Sequence, residues 1–220
     1  MNHSSPPCIP TISISDQQHL LEKLQVFKIQ GRDKHDRKVL RIVGKFFPAR
    51  SVSNEAVNKY LEEKIFPKLG DKAFFTVVYV HTDVNRGDNF PGISTLRSIY
   101  EAIPTAIKDR LQAVYFLHPG LQAKLFLATF GRLLFTGGLY KKLKYVTRLE
   151  FLWVQVRRNE VEVPDFVCDY DEQLEYRPMM DYGLESDHPR VYGPSSLASS
   201  TTSSMLDSPA VSMYSMRCIA

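Results

Sequence analysis

Cysteine is scarce in this chain, and its three copies, Cys8, Cys168 and Cys218, stand far apart. No CxxC pair is present, and no spacing reads as a disulfide framework. The expectation is therefore an intracellular protein with reduced thiols. The six histidines are scattered and give no zinc-ligand spacing. Motifs that cradle phosphate are absent: there is no GxxxxGK[ST] and no GxGxxG after a strand. Nor is there a GxSxG turn to present a serine nucleophile. The chain is accordingly read as a non-enzyme with no catalytic residue, no metal and no cofactor.

Long uninterrupted hydrophobic runs are also missing. The one extended apolar zone, Leu117–Leu139, contains Lys124 and Arg132, two charges that a membrane-spanning helix would have to bury. The opening MNHSSPPCIP has no basic stretch followed by an apolar one, Asn2 stands where a myristoylated glycine would be, and Cys218 is third from the end. No signal peptide, myristoyl group or prenyl anchor is expected, and the expected location is cytoplasmic. Nucleic-acid binding asks for basic and aromatic residues interleaved on an open face. KKLKY at 141–145 is a meagre match, so no nucleic-acid partner is expected.

Charge, by contrast, is plentiful and unevenly placed. Residues 1–158 carry 25 Lys/Arg against 13 Asp/Glu, a surplus of +12, whereas residues 159–193 carry ten acids against two arginines, a balance of −8. A basic body with an acidic flank suits, by charge alone, an anionic partner: a lipid head group, a membrane surface or nucleic acid.

The body reads as alternating strands and helices. Runs at Val39–Phe46, Ala73–His81, Ala113–Leu117 and Tyr145–Leu149 read as strands, and the continuous apolar run Ala73–His81 has the character of a strand buried on both faces of a parallel sheet. Helical spacing of apolar residues predicts helices over Asp16–Gln30, Asn54–Leu69 (with Ser53 as N-cap and Pro67 breaking its last turn), Ser94–Ile103, Thr105–Arg110 and Glu150–Arg157. GRDKHDRK at 31–38 is a charged turn. Strands separated by helices imply βαβ units with right-handed crossovers. The expected fold is thus α/β, a mainly parallel sheet flanked by helices, spanning 16–178. A disordered segment is expected at 1–15, and an acidic then Ser-rich disordered tail at 179–220, with Val161, Val163, Phe166 and Val167 anchoring the start of the acidic flank to the body.

The segment Leu121–Phe135 departs from an ordinary surface helix. Ten of its fifteen residues are apolar. At about 100° per residue, Lys124 and Arg132 fall roughly 80° apart, leaving a narrow polar strip beside a wide apolar arc. A helix packed on a sheet needs an apolar stripe only somewhat wider than 100°. The surplus requires a second apolar neighbour, either another helix or a lipid. His81 and His118 each end a strand, the location where α/β sheets collect ligands.

Strand, Pro-containing turn, apolar helix, lysines and strand together resemble the CRAL-TRIO lipid-binding domain of phosphatidylinositol-transfer proteins, most closely its divergent, BCH-like branch. The resemblance is carried by Val39–Ala49, Ala73–Asp83, Asp109-Arg110-Leu111 through Val154, and Val163-Pro164-Asp165-Phe166-Val167, and covers about residues 20–170. It implies a pocket between sheet and gate helix that holds one phospholipid-like amphiphile, exchanged at an anionic membrane surface. By position the gate helix is Pro119–Phe135, with Leu121, Leu125, Phe126, Phe130, Leu133 and Leu134 facing lipid. Its hinges are Pro119 and Gly120 on one side and Gly137 and Gly138 on the other. Lys142, Lys144, Asp109 and His118 are the implied head-group residues. His118 stands where the family has Asn, and Lys108 where it has Pro in a Tyr-Pro-x-Arg-Leu pattern. BCH-type members bind small GTPases and one another, so a protein-interaction module is the alternative.

Overall fold

The computed structural model describes residues 12–70, 72–134 and 138–176, and the side chains of 132–134 are left aside. Five strands form one sheet in the order β1 (Phe27–Arg32), β2 (Lys38–Val43), β3 (Phe75–Val80), β4 (Leu111–Leu117) and β5 (Leu143–Val146). β1 is antiparallel to β2, and every later pairing is parallel. The α/β class with a mainly parallel sheet is therefore the observed one.

Helix α1 (Ile14–Lys23) precedes the sheet, capped by the Ser13 hydroxyl, which accepts from the Asp16 N–H. The expected helix over Asp16–Gln30 ends early because Gln25 adopts φ 50° and turns the chain into β1. The strand is short and half-buried, and Leu20, Leu24 and Phe27 mimic helical spacing across the break. The charged turn that joins β1 to β2 is built on Asp33. Its buried carboxylate accepts from the His35 and Arg37 N–H groups, from Arg37 Nε at 2.6 Å and from Thr76 Oγ1 at 2.8 Å.

After β2 the chain runs through α2 (Asn54–Tyr60), a five-residue π turn (Leu61–Ile65) and α3 (Phe66–Leu69). Ser53 caps α2 as expected. Pro67 does not break the helix: it sits in the first turn of α3, and the wider π turn before it absorbs the missing N–H. Next come α4 (Ile93–Ala102) and α5 (Thr105–Arg110) between β3 and β4, then α6 (Leu121–Leu134) and α7 (Leu139–Lys142) between β4 and β5. The last strand begins two residues earlier than expected, and Leu149 opens α8 (Leu149–Gln155) instead of closing β5. The acidic flank contributes α9 (Asp165–Glu175).

Two apolar layers cover the sheet. On one face Val78, Val80, Tyr115 and Leu117 pack with Leu149, Leu152, Val161 and Val167 from α8, α9 and their connection. On the other, Leu40, Phe75, Val77 and Leu111 pack with Leu21, Val57, Tyr60 and Leu69. The chain steps β2, β3, β4, β5 in one direction. Right-handed crossovers therefore place α2 to α7 on that second face.

Candidate functional site

The second face is incompletely filled. A cavity of about 240 Å³ lies between the sheet and its helices. Its floor is Leu40, Ile42, Val77, Tyr79 and Val114, and its roof includes Leu96, Ile99, Ile103 and Ile107. These roof residues belong to α4 and α5 and the turn between them, and neither helix has a buried residue, because its apolar side stands over empty space. The lining is apolar apart from Asn89, Lys108 and the hydroxyls of Tyr79 and Tyr100. Burial pushes the Tyr79 phenol well above its ordinary pKa. Gly44 lets that phenol lie against the backbone, since a Cβ there would meet the Tyr79 oxygen at 2.7 Å.

Towards the carboxyl ends of the strands the same face continues as an aromatic row. Tyr79 stacks on Phe116 at 5.0 Å, His81 lies 5.0 Å from Phe116, and Phe116 meets Tyr145 edge-on at 6.2 Å. His81 Nδ1 is buried with no hydrogen-bond partner, and desolvation lowers the pKa of the ring to about 4. The imidazole is therefore neutral and part of an apolar surface.

The sequence places the pocket beneath the gate helix, whereas the observed cavity is roofed chiefly by α4 and α5. Among the described residues none of Leu121, Leu125, Phe126 or Phe130 lines it, although Leu139 of the neighbouring α7 does. α6 packs lightly. Leu125 is 57% exposed and Phe130 51% exposed, Leu121 and Phe126 are half-buried, and Leu127 carries the contact with the body. Phe126 and Phe130 stack on each other at 5.4 Å. Gly131 brings α6 against α7, where a Cβ would sit 2.9 Å from the Tyr140 ring. The side chains of Leu133 and Leu134, and all of Gly137, lie outside the described residues. Gly138 adopts φ 81° at the start of α7, and Pro119 and Gly120 lead into α6.

The head-group candidates do not converge. His118 is buried with both ring nitrogens engaged, Nδ1 2.9 Å from Thr82 Oγ1 and Nε2 3.0 Å from Asp171 Oδ1, so it offers nothing to a ligand. The reason is its φ of 51°, which turns the ring towards α9 and the layer opposite the cavity. Lys144 lies across the Tyr115 ring at 5.5 Å, again on the opposite face, as strand alternation requires. Asp109 is exposed beside Tyr100, whose phenol pKa is raised first by burial and then by that charge. Lys142 approaches the cavity from α7, donating to the Lys108 carbonyl at 3.0 Å.

Sequence reasoning passed over Lys108 as a binding residue. It lines the cavity, donates to the Glu101 carbonyl at 3.1 Å and lies 4.8 Å from the Tyr100 ring centroid. The signal was Pro104, which folds α5 back on α4 and returns Lys108 to the Tyr100–Glu101 end. Among the described residues no group of three His, Cys, Asp or Glu is placed to hold a metal ion, and no helix is long and apolar enough to cross a membrane.

The family described as a divergent CRAL/TRIO domain matches residues 36–173. The chain is 27% identical over 141 residues to the Protein GDAP2 homolog of Drosophila melanogaster, covering 64% of this chain and 25% of that protein. It is 29% identical over 144 residues to ganglioside-induced differentiation-associated protein 2 of Xenopus tropicalis, covering 64% and 28%. It is 26% identical over 173 residues to Rho GTPase-activating protein 1 of Homo sapiens, covering 78% and 38%. The match thus spans roughly a quarter to two-fifths of these relatives' length. With the family profile covering more than half of the sequence, the chain belongs to the divergent CRAL/TRIO domain family, in its BCH-like branch.

Proposed function

We propose that this domain is a non-enzymatic lipid-binding module that shields the apolar part of an amphiphile between its sheet and helices and exchanges it at membranes. The observation that carries the reading is the apolar cavity of about 240 Å³ under α4 and α5. A ligand chain that fills it recovers about 0.8 kcal/mol for each buried CH₂.

The apolar arc of α6 fits the same reading as the element that meets the bilayer. Leu125 and Phe130 face solvent, and Lys141 and Lys142 follow in α7. Each basic residue near an anionic surface adds about 1 kcal/mol. Family membership supports a lipid-binding module type. Native mass spectrometry of the purified protein, paired with lipid extraction, tests the reading. The expected result is a stoichiometric amphiphile, retained or taken up from mixed liposomes. A bare polypeptide mass under both conditions would overturn it.

The alternative, a protein-interaction module of BCH type, is favoured by the Rho GTPase-activating relatives and by exposed Phe151 (53%) and Val154 (65%) on α8. Titration with a Rho-type small GTPase, with Phe151→Ser as control, tests it. Saturable binding lost in the variant supports it, and no heat of binding removes it.

A further inference from the structure

The cavity has a chemical polarity of its own. Its lining includes Phe75, Val77 and Tyr79, a stretch of β3 four residues or about 13 Å long. At the amino end of the strands stands Lys108, the only charged residue among the described lining. Its side chain rests over Tyr100 with Nζ on one backbone carbonyl, leaving two of its three N–H donors unused by that bond. The carboxylates closest in sequence are Asp109, exposed and beside Tyr100, and Glu101, which pairs with Arg97 at 2.7 Å. Lys142 brings a second ammonium to the same corner through the Lys108 carbonyl.

On this basis, and resting on the lipid-binding reading above, we infer that the ligand is a single-chain amphiphile with an anionic head, a carboxylate or phosphate monoester. Its tail lies along the cavity and its head sits beside Lys108. Volume argues for one chain. The cavity is larger than the ~150 Å³ apolar void that holds a benzene ring and smaller than the ~300–1,000 Å³ of sites for drug-sized ligands. Charge argues for the anion. A lysine stem lies along the apolar wall while its ammonium, held by one carbonyl, keeps N–H donors for an anionic head.

The test is titration of the full chain, followed by native mass spectrometry, with palmitate, lysophosphatidate, hexadecanol and phosphatidylcholine vesicles. Parent, Lys108→Met, Lys108→Arg and Ile99→Trp proteins are compared. Palmitate or lysophosphatidate is expected to bind one per chain, and the stronger of the two names the head group. Lys108→Met is expected to weaken that ligand about tenfold or more, with hexadecanol unaffected and Lys108→Arg close to the parent. Ile99→Trp, which fills the roof, is expected to abolish both. Equal binding of the anion by Lys108→Met overturns the inference. So does uptake of phosphatidylcholine alone, which would leave the lipid-binding reading standing. Binding of none of the four ligands would remove that reading as well.

Discussion

His118 Nε2 sits 3.0 Å from Asp171 Oδ1, so the residue that opens the turn into α6 is fastened to α9 on the far side of the sheet. The same carboxylate oxygen accepts from the Leu149 N–H at 2.8 Å, and Thr82 Oγ1 holds the other ring nitrogen. Hydroxyl, imidazole and carboxylate occur in the order of a hydrolase triad. Yet Thr82 and His118 are buried, so no substrate reaches the hydroxyl. The array is a clamp that fixes the turn into α6 while leaving the helix itself lightly packed.

Removing the shared acceptor is expected to be costly. Asp171→Ala leaves His118 Nε2 and the Leu149 N–H unpaired, at about 1–3 kcal/mol for each buried group. The urea midpoint is expected to fall accordingly at unchanged slope. A midpoint equal to that of the parent would show that water replaces the carboxylate.

Acid is expected to act through Asp33. Burial disfavours its charge, but hydrogen bonds from the Arg37 backbone, Thr76, the Arg37 side chain and His35 outweigh it and hold its pKa below the usual carboxylate value. A depressed carboxylate pKa contributes stability that is present above the unfolded-state value and lost as pH falls through the folded one. Urea midpoints collected from neutral pH downwards are expected to drop below the carboxylate range in the parent. In Asp33→Asn they should start about 2 kcal/mol lower at neutral pH and change less. Parallel curves would exclude Asp33 as the acid-sensitive group.

His81 is expected to act in a higher window. Its folded pKa of about 4 lies below the ordinary 6.5, so the unfolded chain takes up the proton first. Stability is then lost as pH falls from 6.5, and the loss levels off near 4, amounting to at most about 3 kcal/mol. His81→Phe keeps the aromatic row and removes the proton uptake. Its stability between those two pH values is expected to be flatter than the parent's, and an identical pH profile would contradict the assignment.

The exposed residues of α6 are expected to separate stability from exchange. Leu125→Ser combined with Phe130→Ser alters side chains that already face water, so the unfolding free energy is expected to stay within about 0.5 kcal/mol per site. Transfer of a fluorescent lipid between anionic vesicles is expected to slow severalfold. An unchanged transfer rate would remove α6 as the membrane-facing element.

Much of this molecule is determined locally. The Val-rich run that becomes β3 is apolar on both faces, and a strand in that state has few alternatives to the interior of a parallel sheet. Ser53 and Pro104 mark helix boundaries by chemistry confined to a few neighbouring residues. The apolar circumference of α6 likewise states that an ordinary sheet contact is not enough for it. Tertiary structure decided the remainder. β1 hides behind a helical pattern until a positive φ at Gln25 and pairing with β2 redirect the chain. His118 reads as a ligand-facing residue until Asp171, 53 residues away, claims its ring. The cavity lies under α4 and α5 because their half-buried faces fail to fill the hollow above Val77 and Val114. A surplus of apolar surface is written in one segment, but a cavity is the mismatch between two surfaces, and it exists only once packing has brought them together.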